Sequence, residues 1–172
     1  GIRDSPVTGV QTCALPILLA NNLAELKYEG LSTADQSQIK RLVLDHVGVC
    51  RRGAEQPWCL ALREWAGRYA GSGTSVVFGT VLRTSPNVAA LVNASAAHGM
   101  ELDDTHDSSV SHPGAVVIAP ALALGIEHQA SGGEIMTAIA ARYQALEIGS
   151  ASCTGRVSSS VVARSFHQTH SP

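Results

Sequence analysis

The stretches PNVAALVNASAAH (Pro86–His98), GMELDDTHDSSVSH (Gly99–His112) and PGAVVIAPALALGIEHQ (Pro113–Gln129) follow one another, and their contrast decides the fold. The outer two are alanine-rich, nearly uncharged, and each opens on proline, whose missing N–H costs nothing at a first helical position. They read as two apolar helices. The piece between them gathers Glu101, Asp103, Asp104, His106, Asp107 and His112 into twelve positions. Histidine among carboxylates in a connecting segment is a candidate site; a solvated loop is the plainer alternative.

Working outward, the chain keeps a helical period. Leu18, Leu19, Leu23 and Leu26 are spaced near four and predict a helix closed by Gly30 as a C-cap. Ser32 or Thr33 can N-cap a second helix over Asp35–Cys50, where Ile39, Leu42, Val43 and Val47 form one stripe before Arg51, Arg52 and Gly53 break it. Pro57 opens a third, with Leu60, Leu62, Trp65 and Tyr69, ended by Gly71 and Gly73. SVVFGTVLRT (Ser75–Thr84) is the one β-branched segment; short and interrupted by Gly79, it predicts an extended connector or brief strand. Beyond Gln129, Ile135, Ile139, Tyr143 and Leu146 share a face of a helix over Gly133–Ile148. The expected class is all-α, a multi-helix domain with at most one short extended segment. Residues 1–17, GIRDSPVTGVQTCALPI, have turn formers and no period; Val7–Ile17 is similar to a translated sequencing-adapter oligonucleotide, so a foreign segment is expected there, with a natural disordered N-terminus as the alternative.

Composition narrows the function classes. A chain of 172 residues suits one domain with a real core; with 45% apolar and 4% aromatic residues, Ala, Val, Leu and Ile must fill it. The net charge of −2 and pI near 6.4 offer no basic footprint for nucleic acid or an anionic membrane surface. Cys13, Cys50, Cys59 and Cys153 form no C-x-x-C pair and read as small buried hydrophobes in a reducing cytoplasm. No apolar run reaches the ~18 residues of a membrane-spanning helix.

The segment Asn93–Glu127 resembles the central signature of the MmgE/PrpD family, through Asn93, His98, Asp103-Asp104-Thr105, His112-Pro113-Gly114 and the apolar helix to Glu127. ARSFHQT (Ala163–Thr169) is similar to the family's Arg-Gly-Phe-His-Pro-Thr segment, with Ser165 in place of Gly and Gln168 in place of Pro. Arg142, Gln144 and Glu147 also depart from the family's usual Gly, Glu and Arg. The resemblance implies a helical N-terminal domain over 18–172, with a cofactor-free pocket of side chains acting on small di- or tricarboxylates. It carries the catalytic roles onto Glu101, Thr105, His112 and His167; Glu101 stands where Asp is usual, one methylene longer. It further implies a homodimer and a second α+β domain supplying lysine. This chain, whose only lysines are Lys27 and Lys40, is then an N-terminal portion not expected to turn over substrate alone.

The chemistry suits those residue types. Taking a proton from a carbon beside a carboxylate requires a base and a partner for the charge that develops, and histidine serves either role near neutral pH. His112, ahead of a helix start, would lie near N–H groups that favour an anionic substrate, and Thr105 can donate a hydrogen bond to a substrate carboxylate. Asp103 and Asp104 read as substrate-binding or loop-ordering groups, able to orient a histidine. His98 reads as a helix-end cap, and His106 and Asp107 as surface residues. Two rival readings remain: a metal-binding module using Asp103, Asp104, His106, Asp107 and His112, whose spacing matches no standard ligand motif, and a non-catalytic helical fragment. Dehydration, decarboxylation and epimerisation share the proton-abstraction step, so the residues do not choose among them.

Overall fold

The computed structural model describes residues 19–107 and 111–153. Residues 19–24 are helical and a 3-10 turn spans Tyr28–Gly30. Helix α1 (Thr33–Gly53) and α2 (Pro57–Tyr69) follow. Two-residue strands β1 (Ser75–Val76) and β2 (Arg83–Thr84) then pair antiparallel, Ser75 opposite Thr84 and Val76 opposite Arg83. Helices α3 (Pro86–His98), α4 (Pro113–Glu127) and α5 (Gly132–Cys153) complete the order. The all-α expectation holds, and the predicted extended segment is this small hairpin.

One expected element differs. The helix predicted to run to Gly30 ends near Glu25, whose N–H bonds Asn21 O, and Lys27 is extended at φ −126° and ψ 153°. The kink lets Leu26 and Tyr28 pack onto the core around Ile39, Ile118 and Ile139, burial that a continuous helix would not give both side chains. Gly30 therefore caps no helix; the next begins at Ser32, which makes a reciprocal capping box with Asp35.

Helix α4 is the hub. Ala115, Val117, Ile118, Ala119, Ala121 and Ala123 bury it on nearly every side, against α3 and α5 as well as α1. Small residues let axes approach closely, as where α1 crosses α3: Gly53 lies so near the Ala96 carbonyl that any Cβ would overlap it. Cys50 and Cys59, both fully buried, fill the seam beside Ala96 and Ala97, and their thiols donate to Asn93 O (3.4 Å) and Ser95 O (3.6 Å) on α3. Asn93 has a structural task. Its amide donates to Val76 O (2.9 Å) and its oxygen accepts from Phe78 N (2.9 Å), so a fully enclosed side chain pins the hairpin segment to α3. Among the described residues, no helix is long and apolar enough to cross a membrane.

Candidate active site

The polar segment between α3 and α4 folds back on itself. After His98 the chain turns through Gly99 and reaches Glu101, whose φ of 50° is left-handed and whose N–H bonds His98 O at 2.9 Å. That reversal sends Asp103 beneath the end of α3, where its side chain is 1% exposed. The carboxylate faces two imidazoles. His98 Nδ1 lies 3.2 and 3.3 Å from its oxygens, and His112 Nδ1 lies 3.3 Å from Oδ1, in ionic range but not aligned for a hydrogen bond. The two rings sit 4.6 Å apart between centroids, tilted by 58°. His98 is thus a partner of Asp103 rather than simply a helix-end cap.

Asp104 faces the other way. Its Oδ1 accepts Gly114 N–H and its Oδ2 accepts the Tyr143 hydroxyl, both at 2.7 Å, tying the loop to the N-terminus of α4 and to α5. His112 is the residue immediately before α4, with Pro113 and Gly114 behind it, so the helix start fixes its backbone. Glu101 and Thr105 are exposed on the same loop, while His106 bridges Ser111 across its neck. His167, the fourth residue expected in the pocket, lies outside the described residues, as does the segment 1–17.

Behind the loop, α1 contributes two residues that sequence reasoning passed over. His46 is 2% exposed, and neither ring nitrogen has a hydrogen-bond partner. Burial pushes its pKa down to about 4, against an opposing pull from the Asp103 charge. Asp45 beside it is raised, first by desolvation and then by the Asp104 and Asp103 charges. Tyr143, 8% exposed, is held protonated by burial and, next, by the Asp104 charge. Periodicity assigned Tyr143 to the apolar face of its helix, and His46 sits in register with Val43 and Cys50. A polar residue on an apolar stripe was the available signal.

Three ligand-capable atoms, one each from His98, Asp103 and His112, lie within 4.8 Å of one another. This is a different set from the one the loop's spacing suggested, since it recruits His98 and omits Asp104, His106 and Asp107.

At the mouth of the central helix the domain thus encloses a carboxylate between two histidines. The MmgE/PrpD N-terminal domain matches residues 18–169. Over 131 residues the chain is 31% identical to the cis-aconitate decarboxylase-like protein oryM of Aspergillus oryzae, covering 76% of this chain. The chain belongs to the MmgE/PrpD family. It spans 26% of the length of that curated relative.

Proposed function

We propose that the domain forms part of a lyase or isomerase that takes a proton from a carbon next to a carboxylate of a small di- or tricarboxylate, using side chains and no cofactor. The observation that carries this reading is the placement of His112 at the start of α4 with Nδ1 turned to buried Asp103. The carboxylate's charge beside Nδ1 favours a proton on that nitrogen and leaves Nε2 as the atom that meets substrate. His112 then removes the proton, and His98 at its side favours the anionic substrate and the charge that builds during abstraction. Thr105 and Glu101 stand on the exposed side of the loop, Thr105 to donate to a substrate carboxylate and Glu101 to serve as the acidic group of the pocket. His167 completes the set through the family pattern. The proposed setting is a cytoplasmic homodimer, with the rest of a longer polypeptide supplying the other wall.

The test is His112→Ala in the complete enzyme. Turnover should fall at least ~100-fold, the lower range for a positioned acid–base group, with the circular dichroism spectrum unchanged. An unaffected rate removes His112 from the mechanism.

A divalent-cation site is the second reading, favoured by the clustering of His98, Asp103 and His112. Edges of 3.2 and 3.3 Å between Asp103 and the imidazoles are near those of a tetrahedron with bonds of ~2.1 Å. Metal analysis of the purified chain separates the two: a stoichiometric ion would replace the cofactor-free reading, and an ion-free preparation that is stable and insensitive to added zinc would retire the second.

A further inference from the structure

We propose that Tyr143 and Asp104 form a positioning brace for His112, a role that rests on His112 being the working histidine but can be read without turnover. The hydrogen bonds are specific. One carboxylate uses both oxygens, one on the Gly114 amide of α4 and one on the hydroxyl of Tyr143, which comes from α5, 39 positions along the chain. Gly114 fits the same scheme, since a Cβ at that position would overlap the Asp104 carboxylate and force it off the helix end. Tyr143 is a dependable donor because burial and the adjacent charge keep its phenol protonated.

The connection to His112 is covalent and short. Proline at 113 locks its own φ and restricts the residue before it, so fixing the Gly114 amide leaves the His112 backbone little freedom. Asp103, which the His112 ring faces, is the immediate neighbour of Asp104. A single anchored carboxylate thus sets both the backbone that carries the imidazole and the position of the charge that the ring faces. Losing the anchor changes the separation of His112 and Asp103 even where every core contact survives.

The experiment uses the 172-residue chain, isotope-labelled, with Tyr143→Phe and Asp104→Ala as separate variants. Tyr28→Phe is the control, because its hydroxyl donates to Gln36 Oε1 (3.0 Å) away from the loop. The readouts are hydrogen exchange at the Gly114 amide and the ring-nitrogen chemical shifts of His112, which report tautomer and orientation. Each brace variant should speed Gly114 exchange about tenfold and move the His112 ring shifts, and the control should change neither. Lower melting temperatures with His112 shifts as in the parent would overturn the brace, leaving Tyr143 and Asp104 as a buried hydrogen bond only. Faster Gly114 exchange with unmoved ring shifts would overturn it equally, leaving a helix cap. Should His112→Ala prove harmless in the complete enzyme while the ring shifts respond here, the functional reading fails and the brace stands.

Discussion

Glu101 is an unusual residue to find at φ 50° when Gly99 stands two positions earlier. Gly99 ends α3 in right-handed geometry, and a Cβ on it would come within 2.8 Å of both the Ser95 carbonyl oxygen and Trp58 Nε1. The glycine therefore serves close approach of a carbonyl and an indole, and the left-handed turn passes to a residue with a side chain. That conformation costs roughly 1–2 kcal/mol when a Cβ is present. Replacing Glu101 with glycine should relieve it, at some cost in backbone entropy, for a net gain of about 0.5–1 kcal/mol. Urea unfolding would measure the gain, and a loss of stability would refute the strain argument. If Glu101 also serves the pocket, the same substitution lowers turnover in the complete enzyme, the trade expected of strain kept at a working position.

At the scale of elements, glycines in α1 have opposite duties. Gly53 abuts the Ala96 carbonyl, whereas Gly48 faces open space. Gly53→Ala should destabilise by about 1–3 kcal/mol through overpacking, while Gly48→Ala should stabilise by about 0.5–1 kcal/mol through helix propensity. Urea midpoints of the two variants check both signs; the same sign for both would contradict the α1–α3 crossing. The helices themselves were legible because apolar spacing and prolines at first positions are local signals, and the hairpin was legible from its β-branched run. The break at Lys27 was not, since Leu26 and Tyr28 extend an apolar pattern and only the shape of the core around Ile139 decides that the chain must kink. In the site, the Asp103–His112 segment announced itself by charge among uncharged helices. Tyr143 and His46 did not, because a helical stripe identifies a buried face without saying which polar atom finds a partner there. His98 was misweighted for a related reason: a histidine at a helix end has a sufficient local explanation, and its contact with Asp103 depends on the turn at Glu101.

For the whole molecule, the buried neutral His46 ties stability to pH. Unfolded, its imidazole titrates near 6.5; folded, it resists protonation until about 4, so below about pH 6.5 the unfolded chain gains a proton that the native chain refuses. Stability should decline across that window and level off beneath it, by a contribution on the order of 3 kcal/mol. Comparing urea unfolding near pH 7 and near pH 4.5 in the parent and in His46→Leu isolates the effect, and an equal decline in both would assign it to other groups. The seam where α1 and α2 meet α3 has a different use. Burial raises both of its thiols, Cys50 to about 12 with a lesser contribution from Cys59, so neither is a competent nucleophile while the helices are docked. Alkylation at these two positions, followed by peptide mass mapping, then acts as a clock: each modified molecule records an event in which the helices parted. The rate at which adducts accumulate measures how often the native domain opens, with no denaturant and no substrate required.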